Sequence, residues 1–401
     1  MILARNLLRP LSGSKIVILF VLFLTSCSPK IRPSKDEVDT KQETENLEAI
    51  AKDINSNGPA KISLILPFNA KKATLSTASS LENATMAIDF YQGFLMAVNE
   101  VAEAGRNFQL QVLDSEQLGK NLSSHAFSES IQQSDLIVGP VFPENIKQIN
   151  VGEKYFVSPL AASEPSEFNK KHLISINPNI KLHADKLSKF IKKTYATENL
   201  KVVLLHQANS DQPFGEQLRH QFLNTKFDFS EYLNINEFET KIQKGVKYII
   251  LISASNRAVA APTIDKLIAL KRKYDISMDV FGHPNWLKQN YTIEKLQLLN
   301  VGLTTSYFIN YKDLKVIDFI KRYRSKYNFE PSEYSFKGYD TGMYFAELIA
   351  KYGDNYFRHL DNFTFEGLHN KFKFIKDPAY GYMNIELNLV RYKNLQLYTV
   401  N

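Results

Sequence analysis

From about residue 61 onward, short apolar runs alternate with longer segments whose apolar residues recur every three or four positions. The runs at 62–66, 108–113, 136–138, 155–157, 172–176, 202–205, 248–252, 278–281 and 301–305 predict strands. Several are apolar without a break, the pattern of strands covered on both faces in a parallel sheet. Between them, Phe90, Phe94, Leu95, Val98 and Val101 mark one helical face. Leu182, Leu187, Phe190, Ile191 and Tyr195 mark a second, and Ile264, Leu267, Ile268 and Leu270 a third. Repeated βα units predict right-handed crossovers and doubly wound sheets. So many strands exceed what one compact sheet of this kind carries, so the pattern predicts an α/β protein of two lobes. Toward the C-terminus the alternation stops. Residues 366–376 read as irregular, while 383–392 and 395–400 read as two antiparallel edge strands joined at Lys393-Asn394.

The first 27 residues follow another pattern. Arg5, Arg9 and Lys15 precede an apolar run over 16–24, too short for a spanning helix and of signal-peptide length. Leu24-Thr25-Ser26-Cys27 resembles a bacterial lipobox, which implies that Cys27 is lipidated on sulfur and becomes the new N-terminus. The plainer alternative is an ordinary secretory signal whose cleavage site adjoins a cysteine. Several acyl chains on one residue hold a protein at a membrane durably, so Cys27 reads as an anchor and not a nucleophile. Residues 28–60 carry seven acidic and five basic side chains, with few large apolar ones. They close on Asn55-Ser56-Asn57-Gly58-Pro59, and the stretch reads as a solvated tether.

Composition narrows the function classes. With 27 Phe and 20 Tyr the chain is too aromatic to be generally disordered. A single Cys excludes an internal disulfide framework and argues against a Cys-based zinc site. The formal charge of +7 falls to +4 once the leader's Arg5, Arg9 and Lys15 are removed, and the remaining basic residues are interspersed with acids. That balance speaks to solubility and not to a nucleic-acid ligand. No G-x-S-x-G, P-loop, G-x-G-x-x-G or H-E-x-x-H motif occurs, and S-x-x-K occurs only between Ser12 and Lys15 in the leader. The 8 histidines lack metal-ligand spacing. No catalysis, cofactor or metal is expected.

Ile65-Leu66-Pro67-Phe68, then Asp89-Phe90-Tyr91-Gln92-Gly93-Phe94, resembles the first strand and helix of type I periplasmic binding proteins, the leucine/isoleucine/valine-receptor fold. Asp135-Leu136-Ile137-Val138-Gly139-Pro140 and Val157-Ser158-Pro159-Leu160-Ala161 resemble that family's third and fourth strands with their cleft loops. Phe214-Gly215-Glu216 resembles the loop opening the first helix of lobe 2. Phe281-Gly282-His283-Pro284-Asn285-Trp286 resembles a segment common in its lipoprotein members. Gly338-Tyr339-Asp340-Thr341-Gly342 and Asn388-Leu389-Val390-Arg391-Tyr392 resemble its last long helix and final strand. The similarity covers about residues 61–401. It implies two doubly wound parallel-sheet lobes joined by three hinge crossings: lobe 1 over 61–176 plus 306–380, lobe 2 over 177–305 plus 381–401.

The same resemblance implies a lipid-anchored protein of the bacterial envelope, facing the periplasm. Its two lobes would close over a small polar or amphipathic solute, for an ABC permease or as a sensor. An alternative within the same fold is an accessory lipoprotein of envelope or peptidoglycan synthesis, since a lipoprotein activator of cell-wall synthases carries such a domain. Ligands of open α/β sheets bind beyond the carboxyl ends of the strands. Those ends place Ser158, Ala161 and Ser163 on one wall, and Phe214, Ser253, Asn256, His283 and Trp286 on the other, as candidate ligand-binding residues. Ser158 and Ser163 serve as hydroxyl donors or simply cap local turns. Trp286 stacks on a ligand or packs in a core; His283 contacts the ligand or sits in a surface loop. Helices starting after Pro143 and Ser163 would aim backbone N–H groups at the cleft. Residues 71–85 read as a loop beside the cleft mouth or a partner-binding insertion. The family's amino-acid receptors hold the ligand carboxylate with a hydroxyl where this chain has Pro143, then with a Thr or Ser at Ala162 or Ser163. Their acidic partner for the ligand amine has no clear counterpart here, a departure from a branched-chain amino-acid site.

Overall fold

A computed structural model describes residues 58–70, 77–115, 129, 131–206 and 212–400. The leader, Cys27 and nearly all of the tether lie outside them. Lobe 1 begins with β1 (Ala60–Leu66), one residue inside the stretch read as tether. It continues through α1 (Ala78–Glu103), β2 (Phe108–Asp114), β3 (Leu136–Val138), α2 (Pro143–Gln148), β4 (Phe156–Ser158) and β5 (Leu173–Ser175). The chain then builds lobe 2 from α3 (Ile180–Thr194), β6 (Leu200–Leu205), α4 (Gln212–Phe222), β7 (Asp228–Tyr232) and α5 (Ile235–Glu239). That lobe goes on through β8 (Lys247–Ile252), α6 (Arg257–Tyr274), β9 (Ser277–Phe281), α7 (Ile293–Leu298) and β10 (Gly302–Thr305). It returns to lobe 1 for α8 (Leu314–Tyr327), α9 (Glu333–Tyr352), β11 (Phe365–Glu366), β12 (Lys371–Phe372), β13 (Phe374–Asp377) and β14 (Gly381–Asn384). Finally β15 (Asn388–Lys393) and β16 (Gln396–Val400) close lobe 2.

The described residues form two seven-stranded sheets, ordered β2-β1-β3-β4-β5-β14-β13 and β7-β6-β8-β9-β10-β15-β16. Each begins with five parallel strands; in the first β14 continues parallel to β5 and only β13 is antiparallel, whereas in the second β15 runs antiparallel to β10 and β16 antiparallel to β15. Both sheets reverse winding direction between their first and third strands, the switch point at which such sheets present ligands. Unbroken apolar strands are covered twice. In lobe 1, Leu64, Leu66 and Val138 face Phe90 and Phe94 of α1, while Ile65 and Ile137 face Ile146 and Ile149. In lobe 2, Ile250 and Ile252 face Leu267 of α6, while Ile249 and Leu251 face Leu187 of α3 and Leu218 of α4.

The structure corrects three expectations. Residues 78–85 are the first turns of α1 and not a loop: Thr77 caps the helix, its Oγ1 accepting from the Ser80 N–H at 3.1 Å. Residues 366–376 are not irregular but hold β12, β13 and one end of β11. Residues 383–392 are not one strand, and β14 belongs to lobe 1, where Tyr382 pairs with Ile174 of β5. The chain leaves lobe 1 after Asn384 and not before Gly381. Asn384 is fully buried, and its amide donates to the carbonyls of Ile176 and Lys371, both at 3.0 Å. Its Oδ1 accepts from the backbone N–H of Lys373 at 2.9 Å and of Glu386 at 3.2 Å. One side chain thus diverts the backbone from one sheet to the other. Three segments cross between lobes, around 176–179, 306–308 and 385–387.

Candidate functional site

The carboxyl ends of the parallel strands converge on a cavity of about 560 Å³ beside the first two crossings. Lobe 1 contributes Val141 and Phe142 after β3 and Leu160, Ala161 and Ala162 after β4. Its helix α9 adds Glu333, Tyr334 and Lys337. Lobe 2 contributes Ile180 and His183 from the start of α3, His283 and Lys288 after β9, and Thr304 and Thr305 at the end of β10. Asn177 and Tyr307, on two of the crossings, complete the floor. The volume lies within the range of small-molecule sites, and the mixed apolar and polar lining is typical of them.

Two of the polar groups at the floor make short hydrogen bonds, and a third does not. Asn177 donates to the Leu160 carbonyl at 2.6 Å. His183 shares a 2.9 Å hydrogen bond with the Thr304 hydroxyl. Burial, with the His283 ring and Lys288 close by, lowers the His183 pKa to about 3, so its ring is neutral. Lys337 is 8% exposed, and its ammonium lies 3.6 Å from a carboxylate oxygen of Glu333, one turn earlier on α9. That is an ion pair too long for a good hydrogen bond. The ammonium also stands 5.0 Å from the centre of the Tyr307 ring and 5.6 Å from that of Tyr334. Burial pushes the Lys337 pKa down; Glu333 opposes the shift and Lys288 reinforces it.

A larger groove, about 1200 Å³, lies beyond the crossings along the later turns of the same two helices. Lys186, Lys189 and Lys193 of α3 line one side, and Glu100, Asp318 and Glu347 from α1, α8 and α9 the other. It lies away from the carboxyl ends of the strands, so the smaller cavity is the candidate site. Among the described residues no cluster of three or more His, Cys, Asp or Glu is disposed to hold a metal ion, and no helix is long and apolar enough to cross a membrane.

No protein-family model and no curated protein sequence matches the chain. Solved structures do. A candidate branched-chain amino acid ABC transporter protein from Rhodospirillum rubrum superposes with a TM-score of 0.59 at 13% identity, covering 85% of this chain and 100% of that one. An ABC-type branched-chain amino acid transporter protein from Rhodopseudomonas palustris gives 0.57 at 14% identity, covering 84% and 94%. Full-length LpoA from Haemophilus influenzae gives 0.55 at 13% identity, covering 86% of this chain and 59% of LpoA. The chain has the type I periplasmic binding protein fold. At these identities the likeness speaks for the fold alone.

Within that fold, the residues singled out from the sequence separate into lining and support. Ala161 and His283 line the cavity. The other six candidates are not among its lining residues. Phe214 and Trp286 are fully buried behind it: Phe214 packs edge-on against the His283 ring at 4.9 Å, and Trp286 donates its indole N–H to the Ala254 carbonyl at 2.7 Å. A Cβ at Gly282 would strike that indole, which accounts for the glycine four residues before the tryptophan. Ser158 is fully buried with its hydroxyl unpartnered, and Ser253 is buried against the Leu205 carbonyl and His206. Asn256 is exposed and caps α6, accepting from the Ala258 N–H at 2.8 Å. Ser163 is half-buried and precedes only a single 3₁₀ turn, 165–167, where the Glu164 N–H donates to the Glu167 carboxylate. No long helix therefore points at the cleft after Ser163, and α2 after Pro143 has 6 residues. Sequence reasoning missed Lys337, Glu333, Tyr307, His183 and Thr304. The usable signal was a lysine set among Tyr334, Phe336 and Tyr339 on a helix whose neighbours are otherwise core residues.

Proposed function

We propose that this chain is a non-catalytic, lipid-anchored solute-binding protein of the bacterial envelope, which captures a small solute between its lobes for an ABC-type permease. The observation that carries the reading is the position of the 560 Å³ cavity: its walls come from both lobes, and its floor is built from the segments that connect them. An occupant touching both walls favours the closed arrangement, so occupancy and lobe closure are coupled. The fold likeness to ABC-type transporter proteins agrees with this role. The anchor rests on the lipobox-like residues ending at Cys27, which lie outside the described part of the chain.

Two experiments test the reading. Cys27→Ser should move the protein from the membrane to the soluble fraction, and mass spectrometry of the N-terminal peptide should find acyl chains on Cys27 in the parent. A thermal-shift screen of the full-length protein against small polar and amphipathic solutes should give hits. A ligand at a hundred times its Kd adds about 2.7 kcal/mol of stability. Silence across the screen, combined with co-purification of a cell-wall synthase, would favour the accessory role instead. That second reading draws on the likeness to LpoA, whose C-terminal domain, described as a regulator of PBP1A, superposes at a TM-score of 0.52 and 13% identity.

A further inference from the structure

The cavity floor holds a cation that its surroundings only half satisfy. An ammonium group has three N–H donors, and burying one is costly unless it is paired and hydrogen-bonded. Lys337 has one carboxylate neighbour, Glu333 at 3.6 Å, and two aromatic faces that attract a cation without accepting its N–H groups in line. On the opposite wall Lys288 of lobe 2 is exposed to the cavity, near enough to disfavour the charge on Lys337 and on His183. Two like charges thus approach from opposite lobes across the space a solute would fill. Glu333 is the one acidic side chain among the described lining residues, and it is engaged with Lys337. Met86, Val141, Phe142, Leu160, Ile180 and Leu287 supply apolar surface between the uncharged polar groups of the lining.

We infer that the solute is an organic carboxylate with an apolar body and no ammonium group, its acid bound between Lys337 of lobe 1 and Lys288 of lobe 2. The inference rests on the solute-binding reading and gives its substrate class. A carboxylate placed there supplies the missing acceptors of Lys337 and cancels the repulsion that otherwise opposes closure. An α-amino acid, in contrast, would bring an ammonium group beside that of Lys288, into a site whose one described carboxylate, Glu333, is already engaged with Lys337.

The test uses calorimetric titration and thermal shift of the full-length protein in mild detergent. The probes are isocaproate, its amide, L-leucine, phenylacetate and inorganic phosphate. The two carboxylates are expected to bind at least about tenfold more tightly than the amide or leucine. Lys337→Gln should weaken carboxylate binding about thirtyfold or more, the usual scale for removing one partner of a buried charge pair. Lys288→Ser, at an exposed position that leaves folding intact, should weaken it by a smaller factor and reduce its salt dependence. Leucine or the amide binding as tightly as the acids would overturn the carboxylate assignment while leaving solute binding standing. So would phosphate binding alone, or carboxylate affinity indifferent to both substitutions. If no probe binds and the broader solute screen is also silent, both readings fall together.

Discussion

His183 and Thr304, 121 residues apart in the chain, meet through a 2.9 Å hydrogen bond between the imidazole Nδ1 and the threonine hydroxyl. The contact joins the start of α3, just after the first crossing, to the end of β10, just before the second. Burial, His283 and Lys288 lower the histidine's pKa to about 3. The unfolded chain takes up a proton near pH 6.5, and the native state does so only near pH 3. The contribution of this neutral histidine is therefore complete above pH 6.5 and is lost as pH falls toward 3. Asp340, pushed up to about 7 by burial, which outweighs the lowering effect of three backbone N–H donors, acts in the opposite direction, so the parent's own curve mixes the two. Comparison with His183→Gln separates them. Between pH 7 and pH 5 the parent should lose about 2 kcal/mol more unfolding free energy than the variant, measured by denaturant titration. Equal losses would mean that His183 ionises freely in the native state.

The crossing of α1 and α9 makes a second prediction. Gly93 and Gly338 sit where the helix backbones touch: a Cβ on Gly338 would overlap the Phe90 carbonyl, and one on Gly93 the Ser335 carbonyl. Neither obstacle is a flexible side chain, so the helices themselves must separate. Gly338→Ala should cost about 2–3 kcal/mol and lower the melting temperature by several degrees, although alanine favours an isolated helix. An unchanged melting temperature would show that the two helices have room to separate at this crossing.

Trp286 separates support from recognition. It is 1% exposed, and its ring packs beside Tyr291 at 5.3 Å. Trp286→Phe removes the donor to the Ala254 carbonyl and leaves a void, costing about 2–3 kcal/mol. Because the indole forms no part of the cavity lining, isocaproate and phenylacetate affinities should change less than about threefold in calorimetry, within the scatter of indirect effects. A loss of affinity larger than the loss of stability explains would return Trp286 to the binding surface.

What the sequence discloses follows from how local each constraint is. The run Tyr248–Ile252 is apolar because both faces of β8 are covered, and a pattern of that kind is visible in any reading. The break between β14 and β15 is not, because the residue that makes it, Asn384, acts through partners at 176 and 371 that are distant in the chain. The helical start at Ala78 was hidden by its Ser- and Thr-rich composition, which reads equally well as loop. The cavity shows the same limit. His283 and Ala161 could be nominated because each follows a strand, whereas Lys337 becomes a cavity residue only when α9 is laid over α1 and beside Tyr307. Phe214 and Trp286 look alike in sequence whether they face a solute or a core, and only burial separates the two.

Asn384 itself gives the last prediction, since it fixes where the third crossing leaves lobe 1. Its four hydrogen bonds satisfy two buried carbonyls and two N–H groups, on three different segments. Asn384→Ala strands all four and should destabilise the protein by about 2–4 kcal/mol. The local readout is sharper than the global one. The amides of Lys373 and Glu386 lose their acceptor and should exchange with solvent faster in hydrogen-exchange mass spectrometry. The Ile176 amide, which donates to the Ser158 carbonyl at 3.2 Å, keeps its partner and should stay protected. Asn384→Asp retains both acceptor contacts but sets a buried carboxylate against the Ile176 and Lys371 carbonyls, so it should be at least as damaging as alanine at pH 7 and partly recover at pH 5. If both variants exchange like the parent, the third crossing is set by the packing of its neighbours and not by this amide.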